Sequence, residues 1–95
     1  MPEMTFTVRW PDGAQESCYS PSLVVHDHLE VGERYPVADF VARTTTALTV
    51  ASERVEARYG VPCIAAAGQL ARIRTTAGKY ADGDVLVEQM EPARD

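Results

Sequence analysis

Thr5-Phe6-Thr7-Val8-Arg9-Trp10-Pro11-Asp12-Gly13-Ala14-Gln15-Glu16-Ser17-Cys18-Tyr19 decides the fold class, because it contains a strand, a turn and a returning strand. Residues 5 to 10 alternate polar and apolar side chains, the period-two pattern of a half-buried strand. Pro11-Asp12-Gly13 supplies turn chemistry: proline presets φ, aspartate bonds the backbone locally, and glycine accepts a positive φ. A type I turn closed by a glycine bulge follows from that order. It sets Trp10 opposite Ala14, Val8 opposite Glu16 and Phe6 opposite Cys18. One sheet face then carries Phe6, Val8, Trp10 and Cys18, and the other Thr5, Thr7, Arg9, Gln15, Ser17 and Tyr19. A slip of one residue would mix these sets, so the side-chain pattern selects this pairing.

Working outward, Ser20-Pro21 reads as an N-cap followed by proline at the first helical position. Pro21 to Leu29 is expected as a short helix or helical turn ending near Gly32, although the β-branched pair Val24-Val25 leaves an extended reading open. After Tyr35-Pro36, the residues Val37, Phe40, Val41, Thr44, Leu48, Ala51, Val55 and Tyr59 recur at three- and four-residue spacing and predict a long helix. Gly60 suits its C′ position, and Pro62 is expected to open a second helix. That helix places Ala66, Leu70, Ile73, Ala77 and Tyr80 on one face, and the small residues Ala65 to Gly68 permit close approach to the first. Asp82-Gly83-Asp84 is a turn, Val85 to Met90 a closing strand, and Glu91 to Asp95 a polar tail expected to fray. Residues 1–95 thus read as a single α+β domain. It has an N-terminal β-hairpin, a short helix, two long antiparallel helices and a C-terminal strand, with the helices on one face of a small antiparallel sheet.

Composition narrows the function classes. Ninety-five residues make one domain, and 14 acidic against 9 basic residues leave a formal charge of −5. Lys79 is the one lysine, and no basic cluster exists. Nucleic acid is excluded as an expected partner, because phosphate contacts require a basic face. The same acidity disfavours an anionic membrane surface. Met1-Pro2-Glu3-Met4 has no basic and apolar leader pattern, and no stretch nears the roughly 18 apolar residues that span a bilayer. A cytoplasmic protein with reduced cysteines is the expectation. No Walker loop, Gly-x-Gly-x-x-Gly, CxxC or nucleophile elbow is present, so no cofactor and none of the common nucleotide-binding or hydrolase machineries is expected.

Four local features carry chemical interest. His26-Asp27-His28 holds metal-ligating and proton-transfer groups, but the spacing suits no single helical face and no zinc motif completes it. The plainer account, polar residues solvating and capping a short helix, is preferred, and no metal site is expected. Cys63 falls in the expected first turn of a helix, where the macrodipole lowers a thiol pKa, while Cys18 lies on the inward face of the hairpin. Either thiol would need His26 or His28 as its base. Two buried thiols acting as small apolar fillers is the preferred account. Trp10 suits a partner-binding anchor, yet its parity with Phe6 and Val8 favours the core. Ser20-Pro21-Ser22 fits either an anion site or an ordinary helix cap.

Several stretches taken together carry a resemblance: Arg9-Trp10-Pro11-Asp12-Gly13, Glu16 through Ser22, Tyr35 through Val41, Ala51 through Val55, and Tyr59-Gly60. They resemble a small bacterial family named for a nitrogen-starvation response, over about residues 1 to 80. The resemblance implies genes clustered with a nitrilase, a radical SAM protein, an acetyltransferase and a flavoprotein, and a role in nitrogen acquisition. It brings no catalytic residues, and it directs attention to Cys18-Tyr19-Ser20-Pro21-Ser22 as the family's most distinctive stretch. A non-enzymatic accessory protein, binding itself as a homo-oligomer or an enzyme of that cluster, is the leading expectation. The alternative is a small thiol-dependent enzyme, or a small-molecule or metal-binding protein, built on Cys18, Cys63 and His26.

Overall fold

In a computed structural model that describes residues 2–94, strands β1 (Met4–Arg9) and β2 (Gln15–Ser20) pair antiparallel in the register the turn dictates. Phe6 lies opposite Cys18 and Val8 opposite Glu16. The turn closes as its residues require: Trp10 N donates to Ala14 O and Gly13 N to Trp10 O, both at 2.8 Å. Gly13 sits at φ +90°, a conformation that costs glycine nothing and other residues dearly.

Two further strands complete the sheet. β4 (Asp84–Glu91) lies on the other side of β1, and β3 (Arg34–Pro36) lies outside β4, giving the order β2-β1-β4-β3 with every pair antiparallel. β3 was not expected from the sequence. It is three residues long, only Tyr35 is buried, and Pro36 can donate no ladder bond, so it survives only at an edge. β4 is also one residue longer at each end than its apolar run suggests, so Glu91 belongs to the sheet and not to the tail. Val8 faces Val87 while Thr7 faces Gln89, so Glu88 is an inserted bulge residue. The bulge resets the alternation and turns Val85, Val87 and Met90 all inward.

Both long helices, α1 (Val37–Tyr59) and α2 (Ile64–Ala77), cover one face of this sheet. α1 stops at Gly60, which adopts φ +86° and donates its N–H to Glu56 O at 2.8 Å. Pro62 does not open α2 as expected. Cys63 is the N-cap residue, so Cys63 stands just outside the first turn. The short helix is a 3-10 helix, Leu23–Asp27, and its N-cap is Ser22, two residues later than the Ser20-Pro21 reading. Ser22 Oγ accepts from Val24 N at 3.3 Å, and Ser20 Oγ instead donates to Ser22 O at 2.8 Å. Among the described residues no helix is long and apolar enough to cross a membrane. Asp95, the end of the expected tail, lies outside the described residues.

The core lies between helices and sheet, centred on Phe6, Val25, Phe40, Leu48, Ile73 and Val87. Burying such a side chain contributes about 1.5–3 kcal/mol. Trp10 joins the layers: it meets Phe40 edge-on at 5.5 Å and stacks on Tyr80 at 5.8 Å. The burial is uneven along the helices. α1 buries nothing beyond Ala51, and α2 nothing before Ala66.

Candidate functional site

The hairpin side chains singled out from the sequence are held by one carboxylate. Glu16 Oε1 accepts from Trp10 Nε1 at 2.9 Å, and Glu16 Oε2 accepts from the Cys18 thiol at 3.9 Å. Trp10 is only 2% exposed and Cys18 1%, so both face the core. Burial, and then the adjacent Glu16 charge, push the Cys18 thiol far above the ordinary range, with Arg72 opposing only in part. A thiol held in this way keeps its proton and is a poor nucleophile.

Cys63 is elsewhere. It is half-buried, its N–H donates to Ser52 Oγ at 3.2 Å, and both cysteines are free thiols. Tyr19 points to the opposite sheet face and donates its hydroxyl to Glu3 Oε2 at 3.1 Å. Burial, followed by that carboxylate, pushes Tyr19 up to about 12.

Ser20 and Ser22 spend their hydrogen-bonding capacity on each other and on the 3-10 helix, and Ser22 Oγ also accepts from Arg54 Nη1 at 3.1 Å. A helix cap, one of the two readings of this stretch, is thus present at Ser22. His26 Nε2 lies 2.9 Å from Pro92 O and must donate to it, because a carbonyl only accepts. His28 offers its backbone: its carbonyl accepts from Arg43 Nη1 at 2.9 Å. Asp27 is exposed. Among the described residues no three His, Cys, Asp or Glu side chains stand together as a metal site would require. The structure brings Trp10 and Cys18 together through Glu16 and gives neither cysteine a histidine partner.

Sequence reasoning missed three features. Gln69 is 2% exposed on α2, and its Oε1 accepts from Tyr19 N at 2.9 Å and from Arg72 Nη2 at 3.2 Å. Its Nε2 is buried with no partner. A polar residue in step with Ala66 and Ile73 was the available signal. Second, Tyr59, Val61 and Ile64 at the α1–α2 turn are 61%, 63% and 87% exposed. Third, a groove of about 460 Å³ opens between residues 26–31 and 88–94, lined by His26, Leu29, Val31, Met90 and Arg94 among others. The uncovered sheet face is polar. Arg9 Nε and Gln15 Nε2 each donate to Glu88 at 2.9 Å and hold its carboxyl below the usual range.

One family model matches residues 5–90, and its description is Nitrogen starvation-induced protein NitG. No curated protein and no solved structure matches the chain.

Proposed function

The chain belongs to the nitrogen starvation-induced protein NitG family, and from that premise we propose that it is a non-enzymatic accessory protein of nitrogen acquisition. It docks on a partner enzyme through the projecting α1–α2 turn. The observation that carries this reading is Tyr59, Val61 and Ile64, three large apolar side chains exposed on the one α1–α2 turn beyond the core. A covering partner would recover part of the roughly 1.5–3 kcal/mol that full burial of a Val or Ile side chain contributes. Such patches mark interaction sites in soluble proteins. The helical layer is favoured over the sheet edges, because β3 is short and carries Pro36, and the Tyr19 N–H of β2 is already taken by Gln69. The buried thiol of Cys18, held protonated beside Glu16, further supports a role outside thiol catalysis.

The gene setting implied by the resemblance names the partners to try first, a nitrilase and a radical SAM protein. Two unbridged thiols suit a reducing cytoplasm, where we place the protein. The test is the native mass of the untagged chain, alone and mixed with each enzyme, repeated with Ile64→Asp. A mixed complex that this substitution abolishes supports the reading. A chain that ignores both enzymes overturns it, and a homo-oligomer split by Ile64→Asp reassigns the tip to self-association.

A further inference from the structure

Residues 26–33 and 87–92 touch at two places and part between them. At one end Gly32 N donates to Val87 O at 2.8 Å and Val87 N to Glu33 O at 3.0 Å. At the other, His26 Nε2 donates to Pro92 O at 2.9 Å. Between these pins β4 runs on to Glu91 with no strand on its outer side, because β3 pairs only as far as Leu86. The groove of about 460 Å³ fills that gap and falls within the size range of small-molecule sites. Leu29 and Met90, both buried, form its floor, and Val31, 54% exposed, stands at its wall.

Ladder alternation decides which backbone groups face the groove. The backbone groups of Phe6 serve β2, because the turn sets Trp10 N on Ala14 O and the pairing alternates from there. Met90 lies opposite Phe6, so its N–H and C=O turn away from β1 and toward the open side. A strand donor and acceptor presented together are the complement of an extended amide. The groove lining carries both signs of charge. Glu30 and Arg94 both line it, while Glu88, also on the lining, is already held by Arg9 and Gln15.

We propose that this groove binds a small zwitterionic amide of dipeptide size. Its amide pairs with Met90 N–H and C=O, its apolar side chain rests on Leu29, Val31 and Met90, its carboxylate meets Arg94 and its ammonium meets Glu30. His26 is a positioning residue, because its bond to Pro92 anchors the segment that carries Arg94. The site is independent of the helical tip, so either assignment can fail alone.

The probe is glycyl-leucine, titrated into the isotope-labelled full chain and followed by two-dimensional NMR. Saturable shifts are expected at the amides of Leu29, Glu30, Val31 and Met90. Capping the carboxylate as an amide, or the amine as an acetyl, weakens binding about ten-fold each, the loss of one charge-assisted contact. Arg94→Gln does the same, Arg94→Lys restores part of it, and Ile64→Asp leaves the titration unchanged. Absence of saturable shifts by roughly 10 mM, or equal binding of the capped compounds, overturns the proposal.

Discussion

The two halves of α1 carry one stripe of apolar side chains and meet different fates. From Val37 to Ala51 the stripe is buried against the sheet and α2, with Phe40 and Ala47 fully enclosed. From Ser52 to Tyr59 it runs on past the core, and Tyr59 ends 61% exposed. Periodicity therefore reports which side of a helix avoids water, and leaves open whether this chain or another covers it.

The sharpest way to break that contrast is to truncate a side chain in each half. Phe40→Ala should cost about 3–5 kcal/mol in urea unfolding, the range for a buried aromatic. A small loss there would mean that the enclosed half is not the core. Beneath α2, the Cys18 thiol keeps a proton that the unfolded chain releases above roughly pH 8.5, so the folded state is fully favoured below that pH. Stability should therefore fall as pH rises, by up to about 1.4 kcal/mol per pH unit. Cys18→Val should flatten this slope in denaturation measured between neutral pH and the onset of tyrosine titration.

Gly60 closes the overhanging half in a left-handed conformation. Gly60→Ala should lower stability by about 1 kcal/mol, and a larger loss would mean that the tip is coupled tightly to the core. Ile64→Asp should change stability by no more than about 0.5 kcal/mol while abolishing any complex. If it unfolds the chain instead, the two halves are alike after all. The smallest effect belongs to the open sheet face. Glu88 is held below its usual range, so its contribution is present at neutral pH and disappears as pH falls through its folded-state value. The Tm gap between the native chain and Glu88→Gln should accordingly close in acid.

Much of the fold was legible because its signals are local. Pro11-Asp12-Gly13 fixes a turn and a register at once, and Gly60 marks the end of α1. β3 was not legible, since one inward residue between Arg34 and Pro36 makes no alternation. Ser20 and Ser22 are equally good caps by type, and only the backbone path chooses Ser22. Gln69 hid on an apolar face because a polar residue there reads as a break in the stripe. Of the site candidates, His26 was visible as a reactive type, but its partner Pro92 is distant in sequence. Arg94 stood in a stretch read only as tail. A groove assembled from two remote segments leaves no periodic trace in either.

Gln69 has a consequence for crowding. Sheets recruit neighbours through unpaired border amides, and growth from copy to copy needs a long clean run of them. Here a helix side chain occupies Tyr19 N–H, so the outer border of β2 is open only over Gln15 to Ser17; on the opposite side β3 is three residues ending in an imino acid, and beyond Val87 only the last few residues of β4 lack a neighbouring strand. Among the described residues no border of the sheet therefore offers the long run of free amides that growth from copy to copy requires.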